Sequence, residues 1–362
     1  MDTLTASSAN RNPLKVGIIG LGRSALSRHL PVLKKMSDLF SVVAVCDITK
    51  ERRTIVEKEF PNVRTYRQIE DMLDDQDIDV FDITLPTTDH VPVALAALAR
   101  DRWTVLETPI ATSVDDANRL RAAALKSRGK LLVHFPEFFN PDFLLAKQVI
   151  RMQNNPLDEI YEIRVSSQDY VRRDDWQTVK RCGGGAVWYQ GFNSVLQACE
   201  LLKPQPPSQL WSELKRIASL GDAEDFARII LKTRGTMTAN IEINGGMLPP
   251  YAPSFSIYGS RGVFTVMPNA KEGVFRAIDP DYKFPRRRSS VRMPPLDDMH
   301  EKFPVVDIPV KLEGEMPVGE EAFWISLYNT VCSAAPFPIL LEECCEVIRY
   351  LQLVKQSSPF SN

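Results

Sequence analysis

Residues 14–19, LKVGII, run without a break into Gly20-Leu21-Gly22-Arg23-Ser24-Ala25, and a helical pattern of Leu26, Leu30, Leu33 and Met36 follows. No other stretch constrains the fold as strongly. A short β-branched run, a glycine turn and an amphipathic helix make the opening of a βαβ unit. The first glycine allows the tight turn, the second lets a pyrophosphate approach the backbone, and the small Ala25 lets helix and strand pack closely. The helix start then offers free N–H groups and the positive end of its dipole to phosphates. The next strand, Ser41–Cys46, ends at Asp47. A carboxylate there accepts bonds from ribose hydroxyls and repels a 2′-phosphate, which favours NAD(H) over NADP(H). Arg23 and Lys50 nearby temper that preference.

The alternation continues. Asp79–Leu85 (DVFDITL) reads as a strand, Pro86–His90 as a turn and Val91–Arg100 as a helix. Thr104–Leu106 reads as a strand ending at Glu107, Val114–Ser127 as a helix, and Lys130–Phe135 as a further strand. Strands separated by helices imply a parallel sheet with right-handed crossovers. Ligands of such sheets bind outside the carboxyl ends of the strands. Those ends are Gly20–Ala25, Asp47, Pro86–His90 and Glu107–Pro109, so Glu107 is expected on the rim where a dinucleotide would lie.

Bulk properties narrow the partners. A net charge of −2 over 362 residues argues against nucleic acid or an anionic membrane. No apolar run approaches the ~18 residues of a membrane helix. The polar start, residues 1–12, reads as a flexible tail. Six scattered cysteines form no CxxC, and there is no HExxH, so no metal site is expected and a reducing cytoplasm fits best. The four histidines, 29, 90, 134 and 300, are far apart and read as packed or surface residues.

An ordered set of motifs resembles the Gfo/Idh/MocA family of NAD(P)-dependent oxidoreductases. VGIIGLGRSA, VCD, Leu85-Pro86-Thr87-Thr88-Asp89-His90, Glu107-Thr108-Pro109, the glycines 183–185 and FSIYGSRGVF (255–264) carry the resemblance. It implies an α/β protein: an N-terminal Rossmann parallel sheet over 13–136, then an α+β domain with an open-faced, mostly antiparallel sheet over 137–362. Segments 160–170, 210–220, 226–233, 236–244, 254–258 and 262–267 are independently strand-like. The resemblance also implies a homodimer or homotetramer through that sheet and a cis Thr108–Pro109 bond. By the same resemblance Gly20, Gly22, Arg23, Ser24, Asp47, Leu85, Pro86, His90, Glu107 and Pro109 line the cofactor.

The resemblance fails at the family's catalytic trio. Thr108 stands in place of the lysine of its Glu-Lys-Pro motif. Counting from the glycines, Tyr189 and Asn193 replace an aspartate and a histidine. Neither a threonine hydroxyl nor an asparagine amide is a practical acid or base. Tyr189 is left as the candidate proton donor, its pKa lowered by a cation among Arg172, Arg173, Lys180 and Arg181, with Asn193 and Thr108 as orienting groups. Tyr189, Asn193 and Gln197 share one helix face, a polar stripe expected to meet the cleft. Relatives such as biliverdin reductase also lack the lysine, so a reductase fits better than a sugar-alcohol oxidase.

The expectation is an NAD(H)-dependent oxidoreductase transferring hydride to a small molecule: a sugar derivative, cyclic carbonyl or imine. The alternatives are a catalytically degenerate dinucleotide-binding sensor and an eliminase or hydrolase working through transient oxidation. The basic run Lys283–Arg288 and the Pro-rich stretch 279–312 read as a solvated loop or an arm to a neighbouring subunit.

Overall fold

The computed structural model describes residues 12–284 and 302–357. Most of the expected tail and residues 285–288 of the basic run lie outside the described residues.

The first sheet has six strands: β1 (Leu14–Ile19), β2 (Phe40–Cys46), β3 (Arg64–Tyr66), β4 (Val80–Ile83), β5 (Trp103–Glu107) and β6 (Leu131–His134). All pair in parallel, in the order β3-β2-β1-β4-β5-β6. Every residue of β4 is buried, as expected for a central parallel strand covered on both faces. The order reverses between β1 and β4, which opens a crevice at their carboxyl ends.

A π-helical turn, Ala25–His29, leads into α1 (Leu30–Lys35). The other crossovers use α2 (Lys50–Glu59), α3 (Ile69–Leu73), α4 (Thr87–Leu98) and α5 (Val114–Lys126). The segment read as a turn at Pro86–His90 is the first turn of α4: Pro86 caps it in an extended conformation, and Pro92 is accommodated inside the helix.

The chain leaves this layer through a 3-10 turn at Pro136–Phe139 and α6 (Pro141–Arg151). The second sheet contains β7 (Ile160–Gln168), β8 (Gln209–Lys215), β9 (Phe226–Lys232), β10 (Thr238–Asn244), β11 (Phe255–Gly259), β12 (Gly262–Val266), β13 (Glu272–Ile278) and β14 (Val305–Lys311). Its order is β14-β13-β12-β11-β7-β10-β9-β8, antiparallel except for β7 with β10. Strand β14 corrects the reading of 279–312 as loop throughout. Its alternating half-exposure and its Pro309 suit an edge strand, where a missing N–H costs little.

Helix α7 (Ala186–Leu201) lies across one face of this sheet, on Ile163, Val165, Ala239, Ile241 and Ile243. The period of two turns Arg164, Arg228 and Glu242 to the other face, beside the half-exposed Trp211.

The last two helices return to the first layer. Trp324 of α8 (Gly319–Ser333) packs edge-on against Phe40 at 5.4 Å. From α9 (Leu341–Ser357), Gln352 accepts a bond from the backbone N–H of Val114 at 2.9 Å.

Candidate functional site

The glycine turn is shaped by what surrounds it. Gly20 has φ +95°, and a Cβ there would stand 2.9 Å from Leu85 Cδ2 and 3.1 Å from the Thr84 backbone. Gly22, by contrast, would meet nothing nearer than 3.9 Å, so the space beside it faces the crevice. Asp47 closes the turn: its carboxylate accepts the N–H of Leu21 at 2.8 Å and of Thr49 at 2.7 Å. Burial alone would raise its pKa, but the two backbone donors outweigh this and hold it below the usual range. Arg52 stands 3.6 Å from the same carboxylate, and Arg23 is exposed at the mouth of the turn.

Leu85, Pro86, Glu107, Thr108 and Pro109 meet at the neighbouring strand ends, and the Thr108–Pro109 bond is cis. The His90 ring sits behind this corner, its nitrogens 2.8 Å from the Leu85 carbonyl and 2.9 Å from that of Pro109. Burial pushes its pKa down, so the ring is neutral and donates to one of the two. His90 therefore ties two rim loops together rather than facing the crevice.

Glu107 requires a second correction. It ends β5 at the rim, but its carboxylate turns inward. Oε1 accepts the Ser24 hydroxyl and lies 3.1 Å from His29 Nε2. Oε2 accepts the Thr108 N–H at 3.2 Å and lies 3.3 Å from His134 Nδ1. His29 Nδ1 is 2.7 Å from Asp82, and His134 Nε2 is 3.0 Å from Glu320 of α8. Arg28 then bridges Glu320 and Glu137.

Both imidazoles are fully enclosed, with ring centroids 4.0 Å apart. Burial alone would lower the His29 pKa, but Asp82 and Glu107 carry it up to about 10. His134 is raised as well, Glu107 and Glu320 outweighing burial and the nearby His29. Against the cost of burial, His134 and His29 draw Glu107 well below the carboxylate range, and His134 and Arg28 draw Glu320 down to about 2.

The sequence reading passed over this cluster because its members come from distant segments. Asp82, a carboxylate in an otherwise apolar strand, was the one available signal.

The far wall of the crevice starts at the three glycines. Gly185 has φ +117°, and the Glu224 carboxylate occupies the space a Cβ would take. Glu224 in turn accepts the Val187 N–H at the start of α7 and pairs with Lys355 at 2.7 Å. Gly183 faces Thr112 and Thr87 of the first layer, so this loop reaches across the crevice.

Tyr189 and Asn193 are half-buried one turn apart on α7, and Asn193 Oδ1 has no hydrogen-bond partner among the described residues. Gln197 departs from the expected stripe: it is buried and donates to the Glu137 carbonyl at 3.1 Å. The Tyr189 pKa is also raised rather than lowered. Burial dominates, Arg173 opposes it, and Asp225, Glu224 and Asp175 add to it.

Residues 14–135 match the family described as "Oxidoreductase family, NAD-binding Rossmann fold", and residues 143–265 match the GFO/IDH/MocA C-terminal domain. An uncharacterized oxidoreductase of Schizosaccharomyces pombe is 30% identical over 226 residues, 60% of either chain. The chain thus spans about 60% of the length of the first curated relatives it matches. The scyllo-inositol 2-dehydrogenase (NADP(+)) IolW of Bacillus subtilis is 23% identical over 266 residues, covering 73% of this chain and 72% of that one.

Among solved structures, an NAD-binding protein from Listeria innocua superposes with a TM-score of 0.79 at 18% identity, covering 95% of this chain and 94% of that one. The WlbA dehydrogenase of Chromobacterium violaceum, in complex with NADH and UDP-GlcNAcA, gives 0.74 at 18% identity over 96% and 94%. With both of its domain types matched in order across more than half its length, this chain belongs to the Gfo/Idh/MocA family of NAD-binding oxidoreductases.

Proposed function

We propose that the protein is an NAD(H)-dependent oxidoreductase that reduces a small carbonyl or imine compound, a sugar derivative or cyclic carbonyl among them. The observation that carries the cofactor reading is Asp47. It directly follows β2, is held between the N–H groups of Leu21 and Thr49, and presents negative charge where an adenosine ribose would lie. Gly20, Gly22, Arg23 and Ser24 cradle the phosphates, and Leu85, Pro86 and Pro109 form the floor beyond them. Glu107 and His90 act from behind, Glu107 by holding Ser24 and His90 by joining the Leu85 and Pro109 loops.

A nicotinamide held there would supply the hydride. Tyr189 gives its phenolic proton to the substrate oxygen or nitrogen as the hydride arrives at carbon, while Asn193 Oδ1 and the Thr108 hydroxyl orient the substrate. The raised Tyr189 pKa suits a donor more than a base. The second domain, 137–362, binds substrate and joins copies of the chain into a homodimer or homotetramer. The open sheet face supports this: Trp211, Arg164, Arg228, Glu242 and Tyr258 line a depression of about 630 Å³. None of the six cysteines is in a disulfide, which suits a reducing cytoplasm.

The replacement of the usual trio by Thr108, Tyr189 and Asn193 supports a second reading, a dinucleotide-binding sensor of the same fold. One experiment separates the possibilities: NADH and NADPH binding by energy transfer from the five tryptophans, repeated with Asp47→Ala. Tight NADH binding that weakens about tenfold in the variant, followed by turnover of a carbonyl or imine panel, supports the reductase. Binding without turnover of any panel member supports the sensor. No binding of either nucleotide rejects both.

A further inference from the structure

His29, Glu107 and His134 bring three ligand atoms within 4.8 Å of one another at the carboxyl ends of the first sheet. Each imidazole is backed by a carboxylate on its other nitrogen, Asp82 behind His29 and Glu320 behind His134. An ionised carboxylate only accepts, so these partners place the ring protons on His29 Nδ1 and His134 Nε2. Their other nitrogens, His29 Nε2 and His134 Nδ1, lie 3.1 and 3.3 Å from the two oxygens of Glu107, and each offers a lone pair once its proton is displaced. Glu107 is thus flanked by two ring nitrogens, one against each of its oxygens. His134 Nδ1, in a residue 1% exposed, makes no hydrogen bond of acceptable geometry despite lying 3.3 Å from Glu107.

The charge count points the same way. Asp82, Glu107, Glu320 and Glu137 supply four negative charges, and among the described residues Arg28 is the one permanent cation paired with them. With neutral rings the connected cluster would stand at −3, and its enclosed members, Asp82 and Glu107 among them, require compensation. Two ring protons would supply it, but the rings lie 4.0 Å apart and two imidazoliums would repel. A single divalent cation supplies the same charge.

We propose that His29 Nε2, His134 Nδ1 and the Glu107 carboxylate form a binding site for one divalent transition-metal ion, zinc first among them. The spacing fits. The nitrogen–oxygen separations of 3.1 and 3.3 Å match the edge of a tetrahedron built on bonds of about 2.0 Å, roughly 3.3 Å. Two imidazoles, one carboxylate and carboxylates behind each ring are the first and outer shells that such ions take. Ser24, whose hydroxyl reaches the same Glu107 oxygen, connects the ion to the glycine turn. The ion is structural in this role: it joins the turn at His29 to β5 and β6, with β4 and α8 behind the two rings.

The test uses the full chain, stripped with a chelator under reducing conditions and titrated with Co²⁺ and then Zn²⁺. The expected result is one equivalent of Co²⁺ per chain, with visible d–d bands, no thiolate charge-transfer band, and displacement by Zn²⁺. Glu320→Gln, which keeps all three ligands, should weaken Zn²⁺ about 10- to 100-fold. His134→Gln should abolish stoichiometric uptake, with circular dichroism reporting whether each variant folds. The proposal is overturned if the wild-type chain takes up no stoichiometric metal. It is equally overturned if uptake carries thiolate bands, or if folded His134→Gln and Glu320→Gln bind as the parent does. NADH binding is measured in parallel, so loss of the metal site and loss of the proposed function are read separately.

Discussion

A Cβ on Gly185 would stand 2.3 Å from Glu224 Oε1, a carboxylate with no solvent exposure that is already bonded to Lys355. The third glycine of the turn is thus required twice over, by its φ of +117° and by the acid packed against it. Gly185→Ala is expected to destabilise the fold by about 2–4 kcal/mol, since it strains the backbone and displaces one half of an enclosed ion pair. Chemical denaturation measures this. A change under about 0.5 kcal/mol, the size of an ordinary surface substitution, would show that the turn can relax.

Tyr189→Phe separates chemistry from binding. If Tyr189 donates the proton, the substitution lowers kcat by roughly 10²- to 10⁴-fold and leaves NADH affinity within about twofold of the parent. The pH profile gives a second readout. Burial raises the phenol above its ordinary value of 10.0, so the donor form persists through neutrality. Reduction should hold level as far as Tyr189 is concerned and fall only above pH 10. An ascending limb that appears between pH 6 and 9 and vanishes in the Phe variant would mean that Tyr189 works as a base.

Glu200 holds three cations: Lys147 at 3.0 Å, Arg151 at 3.0 Å and Lys203 at 2.5 Å. Burial opposes its ionisation, yet Lys203 and Lys147 outweigh this and hold its pKa below 4.5. A carboxylate depressed on folding contributes stability above its unfolded pKa and loses it as pH falls through the folded one. Glu200→Gln should therefore lower stability at pH 7, by about 2–4 kcal/mol given the largely buried Lys147 left unpaired. The gap from the parent should narrow below pH 4. Parallel stability curves from pH 7 to 3 would refute the assignment.

The open sheet face makes its own prediction. Trp211, on the terminal strand β8, is 52% exposed on a surface that also presents Ile230 and Tyr258. Trp211→Glu is expected to shift a dimer or tetramer to monomer in sedimentation velocity. An unchanged sedimentation coefficient would move the subunit contact elsewhere.

What could be read in the sequence depended on how local the information was. The strand–turn–helix at 14–36 and the acids at strand ends are local patterns, and Leu14–Ile19 forms the strand its composition implies. Strand β14 was missed because Pro309 and the charged residues around it oppose the usual strand signature, which an edge position tolerates. Glu107 was placed at the correct strand end, but which way its carboxylate turns depends on His29, 78 positions before it, and His134, 27 after it. Nothing in VLETPIA alone could reveal that. Tyr189 shows the same limit: its cationic neighbour was anticipated, but the burial that outweighs it is a property of the packed helix.

Helix α8 gives the nucleotide-binding layer a late dependence. Trp324, with no solvent exposure, lies on Phe40 of β2, and four residues earlier Glu320 receives His134 and Arg28. On the ribosome, then, the first 135 residues emerge with an unfinished interior. Their aromatic wall and their buried charges are closed only when the stretch around residue 320 leaves the exit tunnel. A nascent chain halted before that point lacks the Trp324 contact on Phe40 and the Glu320 partner of His134 and Arg28, which makes the first layer dependent on residues around 320 for its own completion.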